Sequence, residues 1–309
     1  MIRLDAATVL LQWSTGSLLF LWVTTRHRLV GIGYGWLLRL VFGIMALGSV
    51  VAAHFTKTVP VREASAVGVV LCCAVAFVVS YVRRVSGVGQ QRAEIERKQA
   101  RVAAMSGPTS ASFADGDGPA TATMAMRDQF GRASSTGNPA LVDGPEFPPA
   151  LDLLAPACGM VGLIAGGIAA GGNVTLAIAR TVVGALFLGA VSDAMLLGHW
   201  YLVQPGLSRR PIGELNTWLM RIWPVEVGLL LVPTGMVSVL NGSISDHYNG
   251  MLGWFWVACA LTTLALTFVT RAALKERFYS AVMAATGLLY LAILTAFGTD
   301  LVARALLAG

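Results

Sequence analysis

A peptide backbone in hydrocarbon finds no water to bond, so it must satisfy its own hydrogen bonds, and this sequence has eight apolar stretches long enough to meet that condition. At 1.5 Å rise per residue, about 20 apolar residues cross about 30 Å of lipid tails as a helix. Residues 6–24, 34–53, 64–82, 151–170, 176–203, 215–240, 251–270 and 278–301 qualify. The runs are unbroken and do not alternate with polar residues, which excludes a transmembrane barrel. Composition agrees: 56 % of the residues are hydrophobic and 12 % charged, against roughly 25 % charged in soluble domains. Mean hydropathy is +0.70. The sequence therefore predicts an all-α, polytopic membrane helix bundle of about eight transmembrane helices in contact with lipid. The first stretch is too long for a signal-peptide core and is expected to stay in the mature chain.

Three stretches precede a long polar interruption and five follow it. Residues 89–105 carry Glu94 four positions before Lys98 among good helix formers, which predicts a helical extension of the third span into water. Residues 106–149 are rich in Gly, Ser, Pro, Ala, Thr and Asp and cannot bury enough surface to offset chain entropy, so a disordered linker is expected. The organisation read from this pattern is a three-helix element at 1–84, an extension and linker at 85–150, and a five-helix element at 151–309. Of the 22 Lys and Arg residues, 15 fall in loops that follow odd-numbered spans, 4 lie on the opposite side and 3 (Arg39, Arg180, Arg221) lie within spans. The positive-inside rule then puts both termini outside and the linker in the cytoplasm of an inner-membrane protein. Residues 241–250 lack Lys and Arg, and Trp254 and Trp256 beyond them suit an outer aromatic belt. The net charge of +6 is spent on these orientation signals, which argues against a nucleic-acid partner.

A three-plus-five division does not support a transporter of two matched inverted halves. It allows two elements that dock, and Gly159, Gly162, Gly166, Gly167 and Gly171 have the spacing that brings helix backbones close. That predicts a central fourth span. Cys72, Cys73, Cys158 and Cys259 lie in apolar stretches without CxxC or histidine spacing and read as small core residues, with no metal implied.

A charge at the bilayer centre costs about 2.5–3.5 kcal/mol even on insertion scales, so the few that occur there need a partner or a purpose. Counted from the inner ends of their apolar runs, Asp193 and Glu226 share a mid-membrane level on consecutive antiparallel spans, and His199 and Arg221 share a level nearer the inner surface. These four residues form the candidate proton or substrate pocket. Pro224 and Pro233 lie on one face of the sixth span, where each removes a backbone donor, and they are the candidate hinge. The competing structural reading pairs Asp193 or Glu226 with Arg39, Arg180 or Arg221 as buried ion pairs.

His199 could also ligate haem iron or bond a quinone carbonyl, with His27 the one histidine placed to share a haem. The plainer reading makes His199, Trp200 and Tyr201 an inner interfacial belt. The sequence lacks a Walker phosphate loop, a nucleophile elbow and a zinc-protease helix, which argues against those enzyme classes. Two functional readings remain. One is proton-coupled transport through a polar pocket between the fifth and sixth spans. The other is a non-catalytic subunit, or a quinone- or haem-binding anchor, of a larger membrane complex.

Overall fold

The computed structural model describes residues 5–83, 147–204, 207–232, 235–246, 248–276 and 278–307. In chain order they form α1 (Ala6–Thr25), α2 (Ile32–Ala53), α3 (Pro60–Val82), a 3-10 turn (Pro149–Leu153), α4 (Leu154–Ala169), α5 (Val174–Val203), α6 (Arg210–Leu231), the short α7 (Met236–Leu240), α8 (Met251–Lys275) and α9 (Tyr279–Leu307). No strand occurs among the described residues. The expected helical extension, the expected linker up to residue 146, and Pro233 of the expected hinge lie outside them, while residues 147–149 lead into the 3-10 turn.

Among the described residues, seven helices are long and apolar enough to cross a membrane: α1, α2, α3, the 3-10 turn with α4, α5, α8 and α9. The apolar run 215–240 is not a single span. α6 begins earlier, at Arg210, and includes Arg210, Glu214, Arg221 and Glu226. It ends at Leu231, where Val232 turns extended (φ −112°, ψ 151°), and α7 restarts at Met236. Hydropathy sees the apolar residues on both sides of the break and cannot see the break.

Local signals fix the helix starts. The Asp5 carboxylate caps α1 by accepting from the Ala7 amide (3.3 Å) and the Thr8 hydroxyl (2.8 Å), and Asn173 caps α5 through the Leu176 amide (3.1 Å). Glu63 reaches back to the Val59 amide (2.8 Å) ahead of α3. Before α8, the Asp246 carboxylate accepts from the amides of Tyr248 (3.0 Å), Gly250 (2.8 Å) and Leu252 (2.9 Å). Gly250 supplies the left-handed residue (φ 84°) that this turn requires.

The innermost helix is α1. Of its membrane-length window, 72 % is buried, against 56 % for α5, 44 % for α4 and 28–33 % for α2, α3, α8 and α9. The expectation of a central fourth span is therefore corrected: α1 and α5 form the centre and α4 leans on them. The sequence hid this because α1 achieves close packing with serines, threonines and one glycine. A Cβ on Gly16 would lie 1.8 Å from the Ala185 carbonyl oxygen of α5, and one on Gly189 would lie 2.2 Å from the Gly16 carbonyl carbon, so the two backbones touch. Ser14 donates to the Phe42 carbonyl (2.7 Å), Ser49 to the Ala7 carbonyl (2.7 Å) and Trp13 to Ser192 (2.7 Å), tying α1 to α2 and α5.

The predicted small-residue face of α4 is real at four of its five positions. Gly159, Gly162 and Gly166 meet Thr15, Leu11 and Thr8 of α1, and Gly167 meets Ile178 of α5. Gly171 faces open space and serves the turn with its positive φ of 78°. The helices before and after residues 82–147 thus belong to one compact unit. Cys73 and Cys259 are buried, and the sulfurs of Cys72 and Cys158 stand 3.9 Å apart between α3 and α4. Trp254 is exposed as a belt residue would be, but Trp256 is buried and donates to the Thr299 carbonyl (2.9 Å), so it is a core residue.

Candidate functional site

The break after α6 leaves carbonyls with no partner in the helix, which in a membrane must be satisfied by a neighbour. Arg180 of α5 does this. Its Nε donates to the Leu229 carbonyl (2.8 Å) and its Nη2 to the Val232 carbonyl (2.9 Å), which also sets a cation at the negative end of the helix dipole. Gly235 packs tightly against the end of α6: a Cβ there would lie 1.9 Å from the Leu230 carbonyl oxygen and 2.9 Å from Arg180 Nη2. Leu230, Met236, Val239, Trp256, Ala303 and Leu307 pack around the break as a small apolar cluster.

Glu226, five residues before the end of α6, is fully buried. Its electrostatic neighbours are Asp300 and Arg304 of α9 and Arg180 of α5, and its carboxyl faces that of Asp300. Arg304 donates from Nε to Asp300 Oδ2 (2.8 Å). Gly184 opens the space into which these groups project. A Cβ there would lie 2.4 Å from Gln12 Nε2, 3.0 Å from Asp300 Oδ1 and 3.3 Å from Arg304 Nη2.

Two acids and two arginines therefore meet one amide where α1, α5, α6 and α9 converge, and the set is not closed. Six of its atoms (Gln12 Oε1 and Nε2, both Glu226 carboxylate oxygens, Asp300 Oδ1 and Arg304 Nη2) have no hydrogen-bond partner among the described residues. Each buried polar group left unbonded costs about 1–3 kcal/mol, and the Glu226 and Asp300 carboxyls are placed to bond each other through a proton. Such a cluster persists only if water or a shared proton supplies the missing bonds.

Arg304 also lines a cavity of about 200 Å³ at the end of the bundle where α1 begins and α9 ends. Its wall includes Asp5 and Thr8 of α1, Lys57, Arg62 of α3, and Thr181 of α5. Arg62 is 2 % exposed, pairs with Asp5, and donates to Thr8 Oγ1 (3.0 Å) and the Lys57 carbonyl (2.9 Å). The positive-inside count assigned Arg62 and Arg304 to outer loops, but both are buried in helices, because α3 starts at Pro60 and α9 continues to Leu307.

The sequence-predicted residues divide as follows. Asp193 is fully buried, and its Oδ1 accepts from the Tyr34 hydroxyl (2.8 Å). Its Oδ2 has no partner among the described residues. It lies nine residues from Gly184 along α5, about 14 Å at helical rise. Asp193 and Glu226 therefore occupy different levels with separate partners. Counting from the ends of apolar runs misplaced them, since α6 begins five residues before its apolar run. His199 is exposed, with Nδ1 3.2 Å from the Tyr290 hydroxyl. Arg221 is exposed and lines a groove with Arg26, His27 and Glu214. Neither reaches the buried acids. Pro224 is exposed inside a continuous α6, which ends at Leu231 before α7 begins at Met236, while Pro233 lies outside the described residues.

One intramembrane pairing is fully closed. Arg39, 3 % exposed, donates from Nε and Nη2 to the two oxygens of Asp152 (2.8 and 2.9 Å), with Ser80 and Thr25 bonding to the pair. This is a structural ion pair with a partner that the sequence reading did not weigh. Gln12 and Asp300 were missed as well. Asp300 stood at the last position but one of an apolar run, yet its spacing of four from Arg304 was a readable sign of an ion pair on one helix face. Comparison with family models, with curated proteins and with solved structures found no match.

Proposed function

We propose that this multi-pass protein moves protons, coupled to a small solute, across an inner membrane, with Glu226 and Asp300 as the proton-carrying pair. The observation that carries the reading is the open cluster at Gly184, with six buried polar atoms lacking partners among the described residues, beside the point where α6 ends at Leu231 before α7 restarts at Met236. Discontinuous helices whose ends face a polar site are a recurrent device of secondary transporters. Intramembrane carboxyls in such sites act as proton relays. Arg180 holds the broken end and balances charge, Arg304 links the acids to the cavity, and the missing side chain at Gly184 lets Gln12, Asp300 and Arg304 press close against α5. The site lies among α1, α5, α6 and α9, a wider setting than the interface of two helices. Asp193 with Tyr34 is a separate station toward the opposite side.

The test is proton flux in liposomes containing the purified protein, followed with a pH-sensitive dye under an imposed potential. Glu226→Gln and Asp300→Asn reduce flux to the rate of protein-free vesicles. Arg221→Gln and His199→Ala, both at exposed positions, leave it within twofold. Undiminished flux in Glu226→Gln overturns the reading.

A further inference from the structure

We propose that the cavity between Arg62 and Arg304 is a binding site for a small oxyanion, a carboxylate or phosphate group. Its lining holds three cations, Lys57, Arg62 and Arg304, against one acid, Asp5. Glu63 stands 3.6 Å from Arg62 Nη2, and Asp300 behind Arg304 takes its Nε. After these pairings Nε of Arg62 and Nη2 of Arg304, the latter also beside Gly184, have no partner among the described residues. Both side chains are no more than 2 % exposed, so these donors are not served by bulk solvent. The guanidinium is suited to two-oxygen recognition of carboxylate and phosphate, and a charge-assisted bond is about twice as strong as a neutral one. Gly166, beside Thr8 and Arg62, and Ala169 add little bulk to the lining, with Thr8 and Thr181 as small polar neighbours. A volume of about 200 Å³ holds an anion of a few heavy atoms with water, and is too small for a nucleotide. Exposed Lys57 at the mouth adds attraction during entry.

The site shares Arg304 with the proposed proton cluster but is tested by binding alone. Full-length protein is purified and its thermal unfolding followed by tryptophan fluorescence. Sodium phosphate or sodium acetate is titrated against sodium chloride at matched ionic strength, in detergent and in nanodiscs of phosphatidylcholine or phosphatidylglycerol. The expected result is a saturable rise in Tm with phosphate or acetate beyond the chloride control. Arg62→Gln weakens the apparent affinity at least about tenfold. Lys57→Gln, at an exposed position that the fold does not need, weakens it about threefold. Ala169→Leu, which fills the cavity and keeps every charge, abolishes it. Glu226→Gln leaves it within twofold, so failure here and failure of the flux experiment are separate results. A rise seen only in phosphatidylglycerol nanodiscs, with no response to free phosphate, supports the same site with a lipid headgroup as the source of the oxyanion. No saturable rise in any of these settings, or an affinity unchanged in both Lys57→Gln and Ala169→Leu, overturns the proposal.

Discussion

Breaking the Arg39–Asp152 pair is predicted to cost far more than deleting it whole. The pair is bidentate at 2.8 and 2.9 Å, with the Arg39 and Asp152 side chains 3 % and 1 % exposed. Asp152→Ala strands a guanidinium away from water, and removing one partner of a buried pair costs about 3–5 kcal/mol. Arg39→Met strands the carboxylate at a similar cost, with Thr25 its one remaining side-chain donor at 3.1 Å. The double variant Arg39→Met/Asp152→Leu removes both charges and both desolvation penalties, and such replacements are often neutral or stabilising. Its cost is expected to stay within about 1 kcal/mol of wild type, giving a coupling of several kcal/mol in the cycle. Equilibrium unfolding of the purified protein in mixed micelles measures all four corners. Single variants that cost less than about 1 kcal/mol, or a double variant as damaging as the sum of the singles, would refute the reasoning that separates this closed pair from the open cluster at Gly184.

Further expectations follow from particular contacts. Gly16→Val drives a side chain into the Ala185 carbonyl, 1.8 Å from its Cβ, and is expected to abolish the peak of folded protein in size-exclusion chromatography. Gly228→Ala, with no neighbour within 4 Å of its Cβ, is expected to raise stability by about 0.5–1 kcal/mol through helix propensity, read in the same unfolding assay. The backbone amides of Gly250, Tyr248 and Leu252 hold the Asp246 carboxyl below its usual range despite its partial burial. A depressed folded-state value means that its stabilising contribution is present above the ordinary carboxylate range and is lost as pH falls through the lowered one. Unfolding followed between neutral and acidic pH should show a smaller loss in Asp246→Ala than in wild type.

The fold class was readable because lipid imposes length and hydropathy on every span, and α2, α3, α8 and α9 follow those rules closely. What escaped was the part that violates them. The α6 break falls in a segment whose hydropathy stays high, and it depends on Gly235 fitting against Leu230 and on an arginine from another helix. Glu226 and Asp193 were legible as costly buried acids, but their partners were not, because Tyr34, Asp300 and Gln12 come from helices distant in sequence. His199 and Arg221 were grouped with them by depth alone. Depth carries no azimuth, and both side chains turn outward. The centrality of α1 was hidden for a related reason: its serines and threonines lower its hydropathy to 1.4, the least of the seven helices, and they are what lets it pack inside the bundle.

The central claim is that the buried polar groups around Gly184 form a hydrated path and not a sealed ion network. An experimental density map of the protein in a lipid nanodisc, at a resolution that shows ordered water, tests it most directly. The account predicts water bridging Gln12, Asp300, Arg304 and Glu226 and continuing past Arg304 into the cavity beside Arg62. A dry cluster in which Glu226 and Asp300 bind Arg180 and Arg304 directly, with every donor and acceptor satisfied, would contradict it.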